Sequence, residues 1–254
     1  MTELPLQELA IIYGTFAVAY LIGSLSFAVI IAKLMRQPDP RTYGSGNPGA
    51  TNVLRSGNKL AAALTLLLDA FKGWLPVFLV QHYSFELRIE DSTIAFVGLA
   101  AFIGHLFPVF FRFQGGKGVA TALGVLLAFS PWLGLGTLFI WALIAGIFRY
   151  SSLAAIVAAL FAPFFALLFL DRPIVSLSIT IMSLMLIWRH WGNIMKLLTG
   201  KESRIGDKPV ENKRRRRRTR RLHDDLGAAS GRAGGAGSVA PASSPSSSQS
   251  KGNP

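Results

Sequence analysis

The run from Leu9 to Ala32 contains no charged residue over 24 positions. An α-helix needs roughly 20 apolar residues to cross the hydrocarbon of a bilayer. A surface helix of a soluble protein carries charge on the face that meets water, so its charge-free stretches stay shorter. Other long uncharged runs follow, and only 15 % of the chain is charged, against roughly 25 % in soluble domains. The sequence therefore predicts an all-α integral membrane protein.

Spans are expected at about Leu9–Ala32, Leu60–Gln81 and Thr93–Phe111, the second interrupted by Asp69 and Lys72. The uncharged run Val119 to Phe148 would make a straight helix of about 45 Å, too long for a hydrocarbon core of about 30 Å. Ser130-Pro131 is the natural break, because proline removes a helical donor and restricts the residue before it. Two shorter spans result, Val119–Phe129 and Trp132–Phe148, followed by Leu153–Leu170 and Ile174–Trp188. The count is about seven transmembrane helices, or six if Val119–Phe148 crosses once.

Lysine and arginine gather on the cytoplasmic side of membrane proteins. The first loop holds Lys33, Arg36, Arg41, Arg55 and Lys59, whereas the second holds one arginine beside Glu86, Glu90 and Asp91. Arg112, Lys117 and Arg149 fall in odd-numbered loops, and the C-terminal region is heavily basic. This parity predicts an N-terminus outside and a C-terminus in the cytoplasm. Met1 to Glu8 has two acids and no basic residue, unlike the basic start of a cleaved signal peptide, so the first span is expected to be retained.

Residues 1–208 are read as a transmembrane domain and residues 209–254 as a cytoplasmic tail. The tail begins basic, with Arg214 to Arg218 in succession, and becomes rich in Gly, Ala, Ser and Pro after Gly227. Such a composition buries no core and is expected to be disordered. Charge alone suits its arginines to anionic lipid or to RNA. A topology-enforcing flank with possible anionic-lipid contact is the preferred reading, and no nucleic acid is expected. There is no cysteine, and His82, His105, His190 and His223 are scattered, so neither a metal nor another cofactor is expected.

The chemistry gathers in four clusters. Gly44 to Arg55 places Ser45, Asn47, Thr51 and Asn52 among Gly46 and Gly49, and closes on Arg55. Glycines let the main chain bend into a concavity of N–H groups that binds anions, and the guanidinium is a fork suited to phosphate oxygens. Neither a Walker nor a dinucleotide motif is formed. The second cluster runs from His105 to Gly115-Gly116-Lys117-Gly118, where glycines around one lysine make a second anion site at a helix start. His105 reads equally as general base, phosphate donor or packing histidine. Asp69 and Lys72 share a helical face within a span, as a neutralising pair or as orienting groups behind the site. The fourth cluster joins Ser151-Ser152 to Arg189-His190, with Asn193 three residues on. No histidine precedes an aspartate by five positions and no Gly-x-Ser-x-Gly elbow occurs. Any acyl transfer should then avoid a covalent enzyme intermediate and need an activated donor.

The stretches GSGNPGATNVLR, DAFKG, GHLFPVFFRFQGGKGVAT, YSSL and RHWGNI, with Glu202 downstream, resemble the bacterial acyl-phosphate:glycerol-3-phosphate acyltransferase family. The resemblance runs from the first span to about Gly206. It implies a seven-helix enzyme of the bacterial inner membrane with a cytoplasmic active site. Its substrates would be acyl phosphate and glycerol 3-phosphate, and its products 1-acyl-glycerol 3-phosphate and phosphate, in phospholipid synthesis. The family motif implies phosphate sites at Ser45, Thr51, Arg55, Lys117 and Ser152, with His190 and Asn193 on the glycerol phosphate. The candidate catalytic set is Arg55, Lys117, His105, His190 and Asn193. Gly46, Asn47, Gly49, Asn52, Gly115 and Gly116 complete the binding set, and Asp69 and Lys72 stand behind it.

Overall fold

The structure is a computed structural model that describes residues 6–207. The readings of the arginine run and of the low-complexity tail lie outside the described residues. Within them the protein is all helical: α1 (Leu6–Gly23), α2 (Phe27–Leu34), α3 (Ala50–Leu54), α4 (Lys59–His82), α5 (Asp91–Leu106), α6 (Val119–Phe129), α7 (Pro131–Phe148), α8 (Ser151–Phe169), α9 (Pro173–Arg189) and α10 (Trp191–Leu198). No strand occurs among the described residues.

Local signals explain most boundaries. Asn58 caps α4, its side chain accepting from the Ala61 N–H at 2.9 Å. Ser130 is extended and Pro131 opens α7 at its first turn, where a missing N–H costs nothing. Gly118, at φ +84°, turns the chain into α6, a conformation that side chains disfavour.

The expected single first span is instead two helices, α1 and α2, bent by 45°. The bend leaves the Leu25 carbonyl without a helical partner, and Lys72 Nζ of α4 donates to it at 2.6 Å. The same ammonium pairs with Asp69 at 2.8 Å, both side chains being buried. Breaking such a buried pair leaves an uncompensated charge, worth about 3–5 kcal/mol. The segment expected as a polar loop after the first span contains α3 and a 3₁₀ turn at Pro40–Thr42. The third expected span ends as helix at Leu106 and continues as a 3₁₀ turn, and α10 was not foreseen.

Six helices close into a ring: α4 packs on α6, α6 on α7, α7 on α8, α8 on α9, α9 on α5, and α5 back on α4. Close approach of α4 and α6 rests on Gly73 against the Thr121 backbone and Gly124 against the Ala70 backbone. Val97, Ala101, Phe102 and Leu106 of α5 are fully buried in the common core. Leu167 is 78 % exposed and Phe139 64 %, an apolar jacket that water would penalise and lipid accepts. Four helices, counting α5 with its 3₁₀ extension, are long and apolar enough to cross a membrane. The number rises to six if α1–α2 and α9–α10 each count as one broken span; α6 is shorter. This is a multi-pass membrane architecture.

Candidate active site

Helices α6, α7, α8 and α9, with the two glycine-rich segments, line a cavity of about 230 Å³. One end is polar. Ser45, Asn47, Thr51 and Arg55 line it from the first glycine-rich segment, Lys117 from the second, Ser152 from α8, and His190 and Asn193 from the α9–α10 turn. The other end is apolar. α8 presents Ala155, Ala158, Ala159 and Ala162, and these small side chains leave room that leucines would fill. Farther along, Leu133, Ala166 and Val175 are fully buried in the common core. A polar mouth over an apolar slot suits an amphiphile with an anionic head and an aliphatic tail.

Each of the two segments is held in its own way. In the first, the Asn52 amide is spent on the loop itself. Its Nδ2 donates to the Pro40 carbonyl at 2.7 Å and to the Tyr43 carbonyl at 3.2 Å, while its Oδ1 accepts from the Ser45 N–H at 3.0 Å. Asn52 thereby shapes the concavity. Thr51 and Arg55 reach out from α3: the Thr51 hydroxyl lies 3.1 Å from that of Ser151, and Arg55 donates to the Ser203 hydroxyl.

The second segment is held from elsewhere. Arg189, at the end of α9, donates to the Gly115 carbonyl at 3.0 Å and to the Gly116 carbonyl at 2.9 and 3.2 Å. The Gly116 N–H donates to the His105 carbonyl at 3.2 Å. A Cβ on Gly116 would land on His105 Nε2 and lie 3.1 Å from the Pro48 carbonyl. His105 Nε2 therefore faces the junction of the two segments. Gly46, Gly115, Gly116 and Lys72 do not line the cavity wall, whereas Gly49, Asn52, Asp69 and His105 do.

Glu202 joins the parts. Its Oε1 accepts from the Ser152 hydroxyl and from Asn193 Nδ2, both at 2.7 Å, and Asn193 Oδ1 accepts from Lys117 Nζ. The carboxylate thus fixes which way the Asn193 amide faces. Burial brings the Lys117 ammonium down to about 8. Glu202 opposes the fall, while Lys196, Arg55 and Arg189 add to it. Burial also pushes His190 down to about 4, so its ring is neutral near pH 7. Its Nδ1 donates to the Leu186 carbonyl at 2.8 Å, which leaves Nε2 as an acceptor.

Glu202, Ser203 and the Arg189 clamp are absent from the residue set drawn from sequence, although Arg189 and Glu202 stood in its motifs. A lone acid or serine in a loop carries no local pattern. Proximity to Ser152 and Arg55 gives Glu202 and Ser203 their roles. Among the described residues no group of three or more His, Asp or Glu is placed to hold a metal ion.

Residues 13–200 match the family described as glycerol-3-phosphate acyltransferase. The chain is 63 % identical over 194 residues to the glycerol-3-phosphate acyltransferase of Ralstonia nicotianae, covering 76 % of this chain and 94 % of that protein. It is 61 % identical over 191 residues to that of Paraburkholderia phytofirmans, covering 75 % and 89 %. Its fold is similar to crystal structures of PlsY (YgiH), an integral membrane glycerol 3-phosphate acyltransferase. The glycerol 3-phosphate form superposes with a TM-score of 0.72 at 41 % identity, covering 77 % of this chain and 96 % of that one. For the lysophosphatidic acid form the values are 0.70 and 40 %, covering 77 % and 95 %.

Proposed function

The chain belongs to the glycerol-3-phosphate acyltransferase family, and from that premise we propose that it transfers a fatty acyl group from acyl phosphate to the 1-hydroxyl of glycerol 3-phosphate. The products are 1-acyl-glycerol 3-phosphate (lysophosphatidic acid) and inorganic phosphate. The observation that carries this reading is the pairing of two basic glycine-rich segments at the polar end of one cavity whose other end is lined by alanines. Two phosphorylated reactants need two anion sites, and the acyl chain needs the alanine-lined slot.

The hydroxyl oxygen attacks the acyl carbonyl carbon. The bond from that carbon to the phosphate oxygen breaks, and phosphate leaves with the bonding pair. The mixed anhydride is already activated, so holding the reactants in line and stabilising charge supply most of the acceleration. Ser45, Thr51, Arg55, Lys117 and Ser152 hold phosphate oxygens. His190 and Asn193 hold the glycerol phosphate. The hydroxyl proton passes to a histidine Nε2 or to a phosphate oxygen of the donor.

The same reading takes seven crossings, with the N-terminus outside and the site at the cytoplasmic face of a bacterial inner membrane. α6 supplies the crossing beyond the six counted by length. Support comes from Lys117, before α6, and Ser152, after α7, meeting through Asn193 and Glu202 at one end of the bundle. The chain therefore goes down α6 and returns along α7. The basic loops share that end, in keeping with the positive-inside rule.

Purified protein in detergent, given acyl phosphate and glycerol 3-phosphate, should release lysophosphatidic acid and phosphate without any vesicle boundary. Arg55→Ala and Lys117→Ala, each verified as folded, should lower turnover about a hundredfold or more. Normal turnover in both variants would refute the site assignment.

A further inference from the structure

Resting on the acyl-transfer reading, we propose that Arg204 is a further substrate-binding residue. Its guanidinium holds the phosphate of one reactant at the rim of the cavity, beside Thr51 and Arg55.

Among the described residues three cationic side chains line the cavity: Arg55, Lys117 and Arg204. The family motif implies roles for the first two and none for the third. The charge balance calls for it. Near pH 7 a phosphate monoester carries about 1.5–2 negative charges, so two phosphorylated reactants bring roughly three to four. Against them stand Arg55 and Lys117, while Glu202 adds a negative charge to the same wall. Asp69 also lines the cavity but is neutralised by Lys72. The Arg189 guanidinium is turned onto the glycine carbonyls and does not line the cavity. Arg204 is then the cation that remains for phosphate.

Its place is fixed through the main chain. The Ile205 N–H donates to the Arg149 carbonyl at 2.6 Å, and Arg149 Nη2 donates back to the Ile205 carbonyl at 2.9 Å. These bonds pin residues 204–205 to the α7–α8 junction. The Arg204 guanidinium lies over the Tyr150 ring, 5.5 Å from its centroid, and its Nε donates to the Tyr150 hydroxyl at 3.2 Å. An aromatic face orients a planar cation without neutralising it. The nearby Asp207 carboxylate accepts from the Arg204 main-chain N–H at 2.7 Å. Among the described residues no carboxylate forms a salt bridge with the guanidinium, and only Nε donates from it. The two terminal nitrogens are left as a fork for phosphate oxygens.

The contacts on either side lead to the first glycine-rich segment. Ser203, the residue before Arg204, accepts from Arg55. Ser151, the residue after Tyr150, has its hydroxyl 3.1 Å from that of Thr51. Lys117 instead pairs with Asn193. Arg204 thus adds a second guanidinium beside the phosphate that Thr51 and Arg55 hold. Both reactants offer this chemistry, and their separate affinities tell which one uses it.

The test takes the full chain in detergent as wild type, Arg204→Gln and Arg204→Lys. In the acylation assay Arg204→Gln should raise KM for one reactant about three- to tenfold, a modest factor because the residue is exposed and salt screens it. Its kcat and Tm should change little, and Arg204→Lys should recover most of the affinity. Added salt should raise the same KM in the wild type and raise it less in Arg204→Gln. Unchanged KM for both reactants in Arg204→Gln overturns the proposal, as does an Arg204→Lys variant as impaired as Arg204→Gln. A loss in Arg204→Gln that comes with a lower Tm and an unaltered salt response also overturns it, marking a pin for the chain rather than a phosphate contact. Calorimetric titration with glycerol 3-phosphate and with inorganic phosphate separates this from the premise. Affinity that weakens in Arg204→Gln upholds the contact even in a protein that makes no lysophosphatidic acid, and such a protein overturns the acyl-transfer reading instead.

Discussion

The two glycine-rich segments face the same cavity and are built on opposite plans. Gly44 to Arg55 is organised locally: Asn52 gathers the Pro40 and Tyr43 carbonyls just upstream and the Ser45 N–H around one neutral amide. Gly115 to Lys117 is organised from outside, by a guanidinium on α9 that grips two of its carbonyls. A self-organised loop keeps its shape as long as its own residues are present. A clamped loop keeps its shape only while α9 stays docked. The first segment is therefore an autonomous motif, and the second is a readout of helix packing.

Breaking the clamp should have the largest effect. Arg189→Ala deprives two carbonyls of a charged donor, and hydrogen bonds to charged groups are worth about 1.5–3 kcal/mol. About a hundredfold loss in kcat/KM is expected, read in the detergent acylation assay, while Arg189→Lys should restore part of it. An unchanged kcat/KM in Arg189→Ala would mean that the second segment is as autonomous as the first.

Alkali should separate the segments next. Burial brings Lys117 down to about 8. Below that value Lys117 is cationic and binds phosphate; above it the charge is lost. The kcat/KM profile, which follows the free enzyme, should fall about tenfold per pH unit above pH 8. The corresponding profile of Lys117→Arg should stay flat past pH 9, within about half a unit of experimental error.

The internal pin is the third target. Asn52→Ala should cost about 1–3 kcal/mol, as expected when buried loop groups lose their partners. Thermal unfolding in detergent should show a lower Tm, and KM should rise more than kcat falls. The smallest effect belongs to Ser203→Ala. It removes an exposed hydroxyl from the Arg55 guanidinium, where water can take its place, so a change of a few-fold in KM is expected. A larger loss would show that the Glu202–Ser203 strand of chain takes part in ordering the first segment.

Much of this was readable before any coordinates. Ser130-Pro131 announces the α6–α7 break, and the structure ends and restarts the helix there. Ser45, Thr51, Arg55 and Lys117 stand out within their glycine-rich segments, Ser152, His190 and Asn193 only through the family motif, and all seven line one cavity. The first span was not readable in the same way. Its uncharged run continues through Ser24 to Ser26, and nothing local says that the helix stops. The carbonyl freed at Leu25 is tolerable only because Lys72 reaches it from α4. Glu202 stands downstream of the last family stretch, but its role is visible only where Ser152 and Asn193 share its oxygen.

By itself the sequence determined most of the long helices, the α6–α7 break at proline, and the residue types at the cavity mouth. These depend on hydropathy, backbone restriction and side-chain chemistry, which act over a few neighbouring residues. Only the tertiary structure decided which groups share a partner: Lys72 with Leu25, Arg189 with the glycine carbonyls, Thr121 with His105, Glu202 with Ser152 and Asn193. The reason is the apolar surround. Away from water a polar group must find its partner within the protein, and that partner is fixed by how the helices pack.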